Sequence, residues 1–134
     1  MQTLTVTSHM RARIGGAFYP TGFSMVMYPT EDAAHGAADR LVDAGFSAAD
    51  IFWVPPSVVL TEIAPTVTAS EGLFPSMGSD GPTIREFARL ARDGHFGLLV
   101  RTGEVEDRNR LSGAIRGTPY AIAQRYASLV IEDL

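Results

Sequence analysis

Apolar positions along this chain fall into short unbroken runs and longer stretches where they return every three or four residues, and the order of the two is repeated once. Ser24 to Tyr28 (SMVMY) is a continuous apolar run of the kind a buried strand carries, stopped by Pro29. Thr30 predicts a helix N-cap, and Glu31 and Asp32 follow it in the first turn, where negative charge suits the helix dipole. Ala34, Ala37, Ala38, Leu41 and Val42 recur at helical spacing and form one apolar face, and Gly45 supplies a left-handed stop. Ile51 to Val54 (IFWV) predicts a second strand, ended by Pro55 and Pro56. Later the order returns. Asp80 to Gly94 predicts a helix with Asp80 as its cap, Pro82 near the first turn, and Ile84, Phe87, Ala88 and Leu90 or Ala91 inside. Phe96 to Arg101 (FGLLVR) predicts a strand. Glu104 to Arg116 then predicts a helix with Leu111, Ala114 and Ile115 buried, closed by Gly117.

Other segments are less decided. Residues 57–64 (SVVLTEIA) fit either a helical turn opened by Ser57 or a further strand, and Pro65 to Gly81, rich in Thr, Ser, Gly and Pro, predicts a loop. Tyr120, Ile122, Gln124 and Tyr126 alternate as in a strand, whereas Ile122, Tyr126, Leu129 and Val130 also suit a helical face. The expected form is a strand through Tyr126 followed by a short C-terminal turn. The organisation that follows is a single domain over 1–134: an N-terminal arm (1–22), a first strand–helix–strand unit (23–54), a loop-rich connection (55–81), and a helix plus second unit (82–134). Two such units in tandem predict an α+β fold of the ferredoxin-like kind. Its expected form is a four-stranded antiparallel sheet with helices on one face and an extra helix between the halves.

Composition narrows the chemistry. A chain of 134 residues, 46% hydrophobic and 19% charged, has the balance of a soluble globule. The absence of cysteine removes disulfides, thiol nucleophiles and cysteine-ligated metals, and fits a reducing cytoplasm. All 11 basic residues are arginine, which excludes a lysine Schiff base and the lysine-bearing phosphate loop. A net charge of −4 argues against a general nucleic-acid binder. No apolar run reaches the roughly 18 residues of a membrane span, and Met1–Met10 lacks the apolar core of a secretory signal.

The phrases EDAAHGAADRLVDAGFSAADIFWV and REFARLARDGHFGLLVRTGEVEDRNRLSGAI resemble the bacterial general-stress-protein domain. The likeness lies in a helix, an AGF turn, an acidic residue and an apolar strand, then a GH turn leading into a strand and second helix. It covers about residues 23–54 and 83–131. That family often has a glycine-rich apolar linker between its halves where residues 65–81 here are polar, and the glycine-aromatic stretch over 13–22 has no obvious counterpart in it. The resemblance implies a stress-associated cytoplasmic domain and no assigned reaction.

Candidate chemistry is sparse. His9, His35 and His95 lack metal-ligand spacing, and no nucleophile elbow is present. His35 is expected to be exposed, and His95, in a turn before a strand, to be held by backbone hydrogen bonds. Arg85, Arg89 and Arg92 share a helix face that is either a basic stripe for an acidic partner or a solvated surface beside Glu86 and Asp93. Gly15 to Gly22 sets glycines beside aromatics, as a small-molecule pocket does or as an arm packed on its own or a second subunit does. Tyr19, Trp53, His95, Arg101, Tyr120, Gln124 and Tyr126 are the candidate ligand-binding residues, with no catalytic residue, metal or cofactor expected. The leading expectation is a non-enzymatic binding or regulatory module that forms a homodimer, because open sheet edges are commonly paired. The alternative is a cofactor-independent enzyme using His95 or a tyrosine as an acid–base group in a pocket under the arm. RNA binding on the sheet is disfavoured by the charge and by the lack of a basic aromatic run.

Overall fold

The computed structural model describes residues 1–13, 15–71 and 80–134. The two units form where the periodicity places them. In the first, β2 (Phe23–Tyr28) leads through α1 (Glu31–Asp43) to β3 (Ile51–Val54), and in the second β4 (Phe96–Arg101) leads through α5 (Val105–Ile115) to β5 (Ile122–Tyr126). Thr30 caps α1 by accepting a hydrogen bond from the Ala33 N–H at 3.1 Å. Glu104 and Asp107 make a reciprocal capping box at the start of α5. Both helices stop at a glycine in the left-handed region, Gly45 at φ 107° and Gly117 at φ 83°.

The units interleave: β2 and β4 pair antiparallel at the centre, β3 flanks β4, and β5 flanks β2. The sheet is wider than the four strands expected. A parallel strand β1 (Gln2–Thr3) adds to β3, an antiparallel strand β6 (Ile131–Asp133) adds to β5, and the order is β1-β3-β4-β2-β5-β6. The C-terminus is therefore a hairpin instead of a strand and short turn, because the Ala127 N–H donates to the Val130 carbonyl and reverses the chain. The fold is α+β with a mixed six-stranded sheet.

Helices cover both faces, not one. Alternate residues of β2 separate into two clusters, Met25 and Met27 on one side and Val26 and Tyr28 on the other. The second side is closed by α1 and α5 through Ala34, Ala37, Ala38, Leu41, Leu111 and Ile115. On the first side lie the arm, through Leu4, Ala17 and Phe18, and a helical stretch made of α2 (Pro56–Val58), a π-helical turn (Val59–Ile63) and α3 (Ala64–Glu71). Helix α4 (Asp80–Arg92) completes that layer with Ile84, Phe87, Leu90 and Ala91. The reason was written in β2, whose six residues are all buried: an unbroken apolar strand requires cover on both faces.

Two further readings change. The connection expected to be loop-rich is helical from Pro56 to Glu71, which decides 57–64 for the helical alternative and replaces the loop expected over 65–71, since Val58, Val59, Ile63 and Val67 recur at helical spacing and bury on the sheet. The rest of the expected 65–81 loop, residues 72–79, lies outside the described residues, and Asp80, expected as a cap, is the first residue of α4. Val42, expected inside α1, is 47% exposed, so the buried stripe ends at Leu41.

Candidate functional site

The seven candidate residues do not converge. Gln124 and Tyr126 point to the face that carries the arm, as their register opposite Met25 and their packing require. Tyr19 joins them: its ring meets Tyr126 edge-on with centroids 4.9 Å apart, and its hydroxyl donates to the Ala127 carbonyl at 2.6 Å. Trp53 lies on the opposite face, packed at the border of the α1 and α5 cluster. Arg101 ends β4, its guanidinium 4.7 Å from the Phe23 ring centre and its Nε 3.2 Å from Asp50 Oδ1. His95 and Tyr120 sit at the other end of the sheet, before β4 and β5 respectively.

Some of their polar atoms are committed to architecture, as the Tyr19 hydroxyl and the Arg101 guanidinium are. Gln124 Nε2 donates to Asp133 Oδ1 at 2.9 Å and ties β5 to β6, while its Oε1 is buried without a hydrogen-bond partner among the described residues. His95 is anchored by its backbone N–H to the Leu90 carbonyl, as a histidine in that turn should be, but its Nδ1 is likewise buried and unbonded. Tyr28 donates to or accepts from Thr118 at 2.9 Å, and burial pushes its phenol pKa above the ordinary value, an effect that the Thr118 hydrogen bond opposes. On the α4 stripe Arg89 is paired with Glu86 at 3.0 Å and with Asp93 at 3.8 Å, and the Arg89 hydrogen bond holds the Glu86 carboxyl below its usual range. That part of the stripe is a solvated, self-neutralised surface.

Sequence reasoning missed a polar network under α5. Ser24 and Thr102 share a buried hydroxyl hydrogen bond of 2.7 Å. Arg125, opposite Ser24 in register, donates from Nε to the Thr102 carbonyl at 3.0 Å and from a terminal nitrogen to Glu132 Oε1 at 2.7 Å. Arg108 Nε approaches Glu132 Oε2 at 3.2 Å as an ion pair without hydrogen-bond alignment. The available signal was Arg125 itself, a charged residue on a strand where the alternation turns it toward a helix.

A second missed grouping is aromatic. His35, exposed on α1 as expected, stacks on Trp53 with centroids 4.2 Å apart and planes 19° apart, and Trp53 in turn meets Phe96 at 5.3 Å and 37°. Nothing local in the sequence brings these three together; the packing of α1 across β3 and β4 does.

The arrangement offers ring stacking and apolar contact more than proton transfer. Among the described residues no group of three or more histidines and carboxylates is placed to hold a metal ion, and no helix is long and apolar enough to cross a membrane. Compared with known proteins, the chain matches no protein-family model, no curated protein and no solved structure.

Proposed function

We propose that this chain is a non-enzymatic binding and regulatory module, stress-associated and cytoplasmic as its resemblance implies, that works as a homodimer on a ferredoxin-like core. The strand order β3-β4-β2-β5, antiparallel throughout, supports that reading of the core, with β1 and β6 as additions at its edges. The observation that carries the binding role is the tip of the β5–β6 hairpin. Leu129 is 98% exposed and its neighbour Val130 57%. Val42, Val105 and Tyr120 are exposed singly along the chain, which is ordinary for a soluble protein. Both sheet faces are covered and both edge strands are short, so a second copy meets this tip more readily than a sheet surface.

Light scattering across a concentration series tests the dimer. The wild type is expected to dimerise, with a melting temperature that rises with protein concentration, and the double variant Leu129→Asp with Val130→Asp to be folded and monomeric with a concentration-independent melting temperature, since neither side chain supports the core. A wild type that stays monomeric at every concentration removes the homodimer.

One observation favours the enzyme reading as second choice: His95 Nδ1 is buried without a hydrogen-bond partner among the described residues, so the fold itself leaves a proton-transfer group unspent. Metabolites that raise the melting temperature of the wild type but not of His95→Gln would move the reading toward catalysis; none doing so leaves the binding module.

A further inference from the structure

We infer that the Trp53, His35 and Phe96 cluster is a binding site for a small, flat, uncharged or cationic heteroaromatic molecule, whose place over the indole His35 fills in the free protein. Three elements, β3, α1 and β4, each contribute one ring to this spot. The core behind it closes without them: Tyr28, Ala34, Ala37, Leu41 and Leu98 are buried, whereas Trp53 and Phe96 remain only partly covered and His35 is exposed. Aromatic pairs meet either edge-on or offset-stacked; Trp53 and Phe96 are tilted, and His35 lies nearly parallel to the indole. That geometry is the one a heterocycle takes when it stacks on a binding surface.

His35 is held loosely. Its side chain is 53% exposed, and besides the stack its only partner among the described residues is Glu31 on the preceding turn, Nε2 to Oε1 3.7 Å, an exposed pairing worth little. A ring larger than imidazole covers more of the indole and displaces it. The Glu31 carboxylate beside the stack and the net charge of −4 favour a neutral or cationic ligand over a phosphorylated one. The site lies on the β3 flank of the sheet, away from the β5–β6 hairpin, so it does not depend on the dimer contact.

Trp53 is the only tryptophan, so its fluorescence reports this site alone. Adenosine is the probe, and ribose is the control that lacks the ring. Adenosine is expected to quench the emission saturably and ribose to leave it unchanged. His35→Ala removes the competing ring and should tighten adenosine binding roughly two- to tenfold, the range expected for loss of one aromatic pair. Phe96→Leu should weaken it, and calorimetry on Trp53→Leu should show no binding, with melting curves confirming that each variant folds. The proposal is overturned by an absence of saturable quenching in both wild type and His35→Ala, by an equal response to ribose, or by a His35→Ala protein that binds no tighter.

Discussion

At the residue scale the Ser24 and Thr102 hydroxyls show how closely buried polar groups are matched. Both residues are 0% exposed, and each satisfies the other. Thr102→Val leaves the Ser24 hydroxyl buried without that partner and should cost about 1–3 kcal/mol in urea unfolding. Adding Ser24→Ala should return part of that loss, because removing both partners avoids the desolvation penalty; a double variant as unstable as the sum of the singles would contradict the pairing. Tyr28 makes a second case, through pH. Its folded pKa lies above the ordinary 10.0 because it is buried, so its contribution is complete below about pH 10 and declines as the pH rises toward the folded value, where only the unfolded chain ionises at first. Urea midpoints measured at a series of alkaline pH values should fall less steeply in Tyr28→Phe than in the wild type.

At the element scale the antiparallel helices α1 and α5 steady each other's ends. Arg40 of α1 donates to the Ala114 carbonyl at 2.8 Å and the Arg116 carbonyl at 3.2 Å, which lie in the last turn of α5 and just beyond it. Arg110 of α5 lies over the Phe46 ring at 5.4 Å, where α1 ends. A cation at a helix C-terminus is worth about 0.3–1 kcal/mol. Arg40→Ala should therefore lower stability by that amount, with Arg40→Lys recovering the charge but not the two-carbonyl geometry; no change in the denaturation midpoint would show the contact to be ornamental. Helices α1, α4 and α5 and strands β2 to β5 were legible from the chain because caps, glycine stops and apolar spacing agree within each. The helix over 56–71 was legible only in part: over 57–64 a helical turn and a strand stayed equally open, over 65–71 the Pro, Thr and Ser content signals a loop, and only burial against the sheet makes Val58, Val59, Ile63 and Val67 an inner face. The edge strands escaped as well, since two or three residues carry no period.

At the scale of the whole molecule, the miss that matters most is the number of covered faces. Duplication suggested a single helical layer, whereas MVMY and FGLLV, continuous and apolar, already demanded two. The arm belongs to that second layer: Phe18 is fully buried, its N–H donating to Thr66 Oγ1 at 2.9 Å, and the Val6 N–H reaches Glu62 Oε1 at 3.0 Å from the π-helical turn. Of the candidate residues, Tyr19 and Tyr126 are legible as partners only once the hairpins are folded together. Trp53 finds its neighbour His35 through a helix crossing that no spacing rule encodes.

Met25 and Val26 are adjacent in the chain, yet the sheet puts them in different interiors, so it acts as a partition wall. Remodelling the arm side, by drift or by an engineer, leaves the choice of side chains under α1 and α5 nearly untouched, and changes made on either side of the wall should accumulate independently.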